Sequence, residues 1–406
     1  MIKNIQESVK IFCLSGFLFL MSAYGWMLMK LDLNINLIIY FLLFYLFFLF
    51  RNELIAYVTY LFKKKLASID TLILISILLH FAINKSISVP GLSFAALFIF
   101  FSSLGSSNRK KNMNIVLKSI MIVSFLTVIG VLIGYAKGIQ GSPSIFYTVQ
   151  PHNYPSPTLD LFNTIFGTNW KYQISGFQFS INYTAYMLIA ALALIDFTNT
   201  SKPLKMISYV VIIFALILSQ AKVGYLFLAL IIVNKFRNFF YTFLILISCG
   251  YLMLAHFTIS HSEMLIKNIH YFREKIFSFG DYDVYLSFFS WLKLVALEYL
   301  HSVKWFFGDY YKLVDLISAD PHSFWISLLL ISGPISTALV VIKFFKIEKK
   351  IRANRASLPS IFYIGVYTLL VETLIWDAYD APIFWIILLS STSLFLTKER
   401  NSIQGY

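Results

Sequence analysis

Stretches of nearly twenty consecutive apolar residues recur from one end of this chain to the other, and no other feature narrows its fold as much. Residues 11–29, 115–136 and 383–396 are examples. A helix rises about 1.5 Å per residue, so ~20 residues match a hydrocarbon core about 30 Å thick. Inside lipid only helices and closed barrels satisfy their own backbone. Charge is correspondingly scarce: 13% of the 406 residues, against roughly 25% in soluble domains. The first run is followed by Lys30-Leu31-Asp32-Leu33, with no small-residue cleavage site, and is expected to remain as a first helix. Cys13 and Cys249 both fall in apolar runs and read as inert packing residues.

The expectation is an all-α, polytopic integral membrane protein with about twelve crossings. They fall near residues 11–29, 33–50, 69–84, 89–105, 115–136, 181–197, 206–219, 222–234, 239–257, 323–342, 357–371 and 383–397. With the N-terminus inside, most of the 33 Lys and Arg land on the inner side. Among them are Lys63-Lys64-Lys65, Arg109-Lys110-Lys111 and the basic residues of 343–355, as the positive-inside bias requires. The net charge of +14 therefore reads as orientation and lipid contact and not as a nucleic-acid footprint. The chain divides into N-terminal membrane helices (1–136), a first outer loop (137–180), central membrane helices (181–257), a large outer loop (258–322) and C-terminal membrane helices (323–406). No internal repeat or inverted-half symmetry is visible, which weighs against a transporter.

Residues 206–234 form one apolar run with basic flanks at both ends, Lys202 and Lys205 before it and Lys235 and Arg237 after it. A single crossing would put one flank outside. Two helices turning at Ser219-Gln220-Ala221-Lys222 keep both flanks inside and bring Lys222 to the outer face. A lysine between apolar half-helices either snorkels to the interface or serves a site, where it suits a diphosphate as a point charge.

Asp320-Pro321-His322-Ser323 precedes another apolar run. Asp is a favoured N-cap and Pro a favoured first helical residue, so His322 is expected in the first turn of a membrane helix at the outer face. The helix dipole there disfavours imidazolium, which leaves two roles open: a helix-capping His, or a neutral general base. The outer-loop bases Lys267, Arg273, Lys275, Lys293, Lys304 and Lys312 are candidates for phosphate contact, and Arg273 alone among them offers a bidentate grip. Six of the seven histidines fall outside without metal-ligand spacing. Asp281-Tyr282-Asp283, beside Gly280, reads as a turn before it reads as a metal-binding pair. Asp377 and Asp380, in the last outer loop, either line a glycan groove or are solvated. No phosphate-binding loop of Walker type and no nucleophile elbow is present.

Three pieces, in this order, resemble the bacterial O-antigen polymerase and O-antigen ligase superfamily. They are Gly176-Phe177-Gln178-Phe179-Ser180-Ile181-Asn182-Tyr183, then Leu218-Ser219-Gln220-Ala221-Lys222, then His322-Ser323 followed nine residues later by Gly333. The resemblance covers about residues 170–345. It departs from the family at Lys222, where Arg is usual, and at Ser336, where ligases prefer Gly, Thr or Tyr. It implies an inverting glycosyltransferase of the bacterial inner membrane, without metal or cofactor, working at the periplasmic face from an undecaprenyl-diphosphate-linked glycan. His322 and Lys222 would be catalytic, and Arg273, Lys293, Asn182, Ser219 and Asp320 would contact substrate. The implied partners are that lipid-linked glycan, membrane lipid and a chain-length regulator, with no nucleic acid. Polymerase is favoured over ligase. A lipid-linked oligosaccharide flippase is the alternative of another class, disfavoured by the long outer loop and the scarcity of charge within helices.

Overall fold

The computed structural model describes residues 2–31, 35–63, 68–84, 89–104, 109–138, 148–151, 163–167, 172–178, 181–198, 200–234, 324–353 and 358–372. Nearly all of these are helical. The elements are α1 (Ile2–Leu31), α2 (Ile35–Leu49), α3 (Arg51–Lys63), α4 (Ile69–Asn84), α5 (Val89–Leu104), α6 (Arg109–Gly138), β1 (Thr148–Pro151), β2 (Tyr172–Gly176), α7 (Ile181–Leu194), α8 (Lys202–Ser219), α9 (Lys222–Asn234), α10 (Phe324–Ala353) and α11 (Ser360–Glu372). Among the described residues three helical stretches are each long and apolar enough to cross a membrane: Ile5–Ser22, Lys111–Ala136 and Lys202–Ser219. A fourth counts if α2 and α3, bent by 77° at their junction, are taken as one span.

The core is built around α7. Its sequence is apolar on every side, so it has no face to give to water or lipid, and Ile181 and every residue from Tyr183 to Leu194 are buried. Helices α6, α8, α9 and α11 pack around it. Small residues allow this. A Cβ on Gly365 of α11 would stand 2.9 Å from the Cβ of Ala193, a close approach of the kind that stabilises helix pairs in lipid. Helices α1 and α6 run in parallel, with Glu7 accepting from Lys118 at 3.2 Å and Ser119 Oγ donating to the Ile11 carbonyl at 3.2 Å.

Residues 148–151 and 172–176 depart from an all-helical expectation. β1 and β2 pair antiparallel, with an irregularity at Thr148/Val149. Gly176 ends β2 at φ +60, and a Cβ there would meet the backbone of Gly130 and Val131 at 2.8 Å. Only glycine permits both the left-handed backbone and this approach to α6.

The second departure is a correction. Residues 323–342 were expected to cross the membrane as one helix, but α10 doubles back. A straight helix would hold Phe324 and Phe344 about 30 Å apart. Their ring centroids are 6.3 Å apart, and Trp325 lies 5.3 Å from Phe344. The reversal falls at Gly333 (φ 81, ψ 168), followed by Pro334. Proline removes one helical N–H and its ring clashes with the preceding turn, while glycine takes up the angle that no other residue accepts at low cost. The second arm, residues 334–353, packs along α4. Asp70 bonds Lys343 at 2.6 Å, and a Cβ on Gly333 would stand 2.8 Å from His80 Nδ1. Both contacts lie ten residues apart on each helix, so the two helices run antiparallel in constant register.

Candidate functional site

The turn between α8 and α9 brings the second sequence piece into one place. Gln220 closes α8 in the left-handed region (φ 57, ψ 22), and its N–H donates to the Ile217 carbonyl at 3.1 Å. A residue with a side chain loses about 1–2 kcal/mol in this conformation, and such positions concentrate where the surrounding structure serves a function. The chain then reverses. Gly224 sits against Leu216, where an added Cβ would be 2.9 Å from Leu216 Cδ1. A straight helix would separate these residues by about 12 Å, so α9 does not continue the line of α8.

At this turn Ser219 and Gln220 are fully buried and Lys222 is exposed. Ser219 Oγ donates to the Leu216 carbonyl at 2.7 Å, so its hydroxyl serves the end of the helix. Lys222 is the first residue of α9. A cation there opposes the helix dipole, and its charge adds to the positive end of the helix instead of compensating the negative one. The result is a locally positive, accessible helix start, suited to an anionic group.

The first sequence piece lies at the same end. Lys205 Nζ donates to the Asp196 carbonyl at 3.0 Å where α7 finishes and α8 begins, so the opposite ends, Asn182 and Ser219, come to the same level of the bundle. Asn182 is half-buried in the first turn of α7. The segment leading to it is pinned by Gln178 Nε2 donating to Thr127 Oγ1 at 2.8 Å and by Phe177 edge-on to Phe19 at 6.3 Å.

The third piece is elsewhere. Gly333 lies against His80 on the α4–α10 pair. Ser336, one turn on, is fully buried, and its hydroxyl has no hydrogen-bond partner among the described residues. His322, Asp320, Arg273 and Lys293 lie outside the described residues, as do Asp281, Asp283, Asp377 and Asp380. Phe324, two residues after His322, is placed by its contact with Phe344. That level belongs to the opposite end of the bundle from Lys222. Glu348 beyond it accepts from Tyr367, and Tyr363, one turn away on α11, donates to Asn234 at the far end of α9. The reversal at Gly333 thus brings Phe324 back to the level of Phe344, and His322 itself lies outside the described residues.

Sequence reasoning passed over a polar cluster toward the end of the bundle opposite Lys222. Lys343, Asp70 and Tyr57 form a chain, with Tyr57 donating to Asp70 Oδ2 at 3.0 Å and Lys343 lying 4.5 Å from the centre of the Phe98 ring. Burial first, and the Asp70 charge second, hold the Tyr57 hydroxyl well above its usual pKa. His80 was also missed. It lies within an apolar run, and ionisable residues inside a membrane helix are functional candidates by default.

Comparison with known protein families and with proteins of assigned function gives no match.

Proposed function

We propose that the chain is a polytopic inner-membrane glycosyltransferase that takes a glycan from a polyprenyl diphosphate at the outer face, as an O-antigen polymerase does. One observation carries the reading. Among the described residues four have a left-handed backbone, Gly167, Gly176, Gln220 and Gly333, and three of the four fall in the three sequence pieces on which the resemblance rests. Two of those pieces meet at one end of the bundle, around Lys222.

In the reaction the bond between the sugar's anomeric carbon and the diphosphate oxygen breaks, and a bond to an acceptor hydroxyl oxygen forms. The hydroxyl proton passes to a base, and the diphosphate leaves with the electron pair. Because this leaving group is already stable, the protein's main tasks are to position the substrates and to stabilise developing negative charge. Lys222 serves the second task at the start of α9. The reading does not rest on His322 as the base.

Lys222→Ala should lower glycan transfer about 100-fold, within the range for losing one charge-stabilising donor. Lys222→Arg should retain most of the activity, and both variants should accumulate normally. Wild-type transfer by the alanine variant would overturn the assignment. Deleting the gene separates polymerase from ligase: a polymerase leaves lipopolysaccharide with at most one repeat unit, a ligase leaves bare core with polymer stranded on the lipid carrier.

A second reading, transport of a lipid-linked oligosaccharide, is favoured by a specific feature, the buried His80 against the break in α10. Transporters build coupling sites at such breaks. Accumulation of unflipped lipid-linked repeat units on the inner leaflet after deletion would select it.

A further inference from the structure

α3 has three different sides. Glu53, Tyr57 and Leu61, each four residues apart, form a buried side that packs on α5. That side is fastened by Lys10 to Glu53 at 3.3 Å and by Tyr57 to Asp70 at 3.0 Å. At about 100° per residue, Ile55, Val58 and Phe62 fall on a second side, and Asn52, Thr59 and Lys63 on a third. The second side is apolar and open: Phe62 is 79% exposed and Ile55 62%. Water is an unfavourable neighbour for such a side, and no described helix covers it.

The setting identifies the neighbour. α3 leaves α2 at 77°, so if α2 spans, α3 runs close to the membrane plane. Its depth is fixed by the bond from Tyr57 to Asp70 in the first turn of α4, the end at which the basic clusters of the chain collect. Exposed Arg51 and Lys63 stand at its two ends, with the Arg51 guanidinium 5.4 Å from the centre of the Phe48 ring. Helices with an apolar side and basic ends settle at the boundary between headgroups and acyl chains, and anionic lipids add attraction for each cation.

We propose that α3 is an in-plane helix of the inner leaflet that binds anionic phospholipid, with Ile55, Val58 and Phe62 among the acyl chains and Arg51 and Lys63 on headgroup phosphates. The inference is independent of the glycan-transfer reading.

The test uses the full chain in lipid nanodiscs. Nitroxide probes on single cysteines at Ile55 and Phe62 should collide with oxygen in preference to a water-soluble nickel chelate, and a probe at Thr59 should show the reverse. A Phe62 probe as open to the chelate as Thr59 would put the helix in water. A Phe62 probe shielded from both reagents would put it against protein. Either result overturns the proposal. In nanodiscs of mixed phosphatidylglycerol and phosphatidylcholine, Arg51→Gln and Lys63→Gln should each reduce the bound phosphatidylglycerol-to-phosphatidylcholine ratio about fivefold. Both side chains are exposed, so thermal unfolding should not change. An unchanged lipid ratio in the double variant would refute the headgroup contact.

Discussion

Replacing Gly333 by alanine tests the reversal in α10 through the sign of a single number. If residues 324–353 formed a straight helix, the substitution would add a good helix former in place of the poorest ordinary one and stabilise the protein by about 1 kcal/mol. At φ 81 and ψ 168 the expectation is opposite. An L-residue forced into that region costs about 1–3 kcal/mol. The new Cβ also stands 2.8 Å from Nδ1 and 3.2 Å from Cγ of a buried His80. The His80 Cβ itself is only 3.5 Å away, so the ring cannot swing clear by a terminal rotation, and overpacking of this kind costs about 1–3 kcal/mol more. The sum is a loss of about 2–6 kcal/mol.

A double-mutant cycle separates the two contributions. His80→Ala opens the space but leaves the backbone angle, so the pair should recover only the overpacking share, a coupling of about 1–3 kcal/mol. Reversible unfolding in mixed micelles, followed for wild type, both single variants and the double variant, supplies the four free energies. A stabilising Gly333→Ala would refute the reversal. A destabilising but strictly additive pair would keep the reversal and remove His80 from contact.

Three further outcomes follow from the inner end of the bundle. Asp70→Asn leaves Lys343 without its partly buried partner and should cost about 1–3 kcal/mol, whereas Asp70→Leu combined with Lys343→Met should recover most of it; equal losses in both would show that the pair is not the linkage holding α10 to α4. Folding holds the Tyr57 hydroxyl neutral beyond its usual value near 10, so its contribution is complete below that pH and is lost as the pH rises through the folded value. Tyr57→Phe should therefore lessen the alkaline loss of stability in a pH-dependent unfolding series, and an identical alkaline limb would exclude the hydroxyl. A cysteine at Ser323 in a Cys-free background should react with an impermeant maleimide only after the inner membrane is opened, because Phe324 lies at the level of Phe344. Labelling of intact spheroplasts would refute this expectation.

The turn at Gln220 was legible in the sequence, and the one at Gly333 only in part. Paired basic flanks around residues 206–234 demand an even number of passes, and charge bias is a rule that local sequence carries whole. Gly333-Pro334 does signal a break in the apolar run. It does not distinguish a kink from a reversal, because both arms remain apolar either way. The angle is decided by His80 and by the packing of Phe324 and Trp325 on Phe344. α3 was hidden for a similar reason. Residues 51–68 stand in the sequence only as the segment between two expected crossings, and the Glu53 charge is taken up by Lys10, 43 residues away.

The division of charge between the two ends gives the candidate site its meaning. Among the described residues the ion pairs Lys10–Glu53, Lys118–Glu7, Lys343–Asp70 and Arg352–Glu348 lie toward the end of the bundle opposite Lys222. They join α1, α3, α4, α6 and α10, and their charges are spent on one another. Lys222 stands at the other end, on a helix start whose dipole it does not compensate, next to a left-handed residue. Lys222 is exposed at the positive end of α9, two residues after the left-handed Gln220. In the proposed reading, the anionic group that meets this helix start is the diphosphate of the lipid-linked donor.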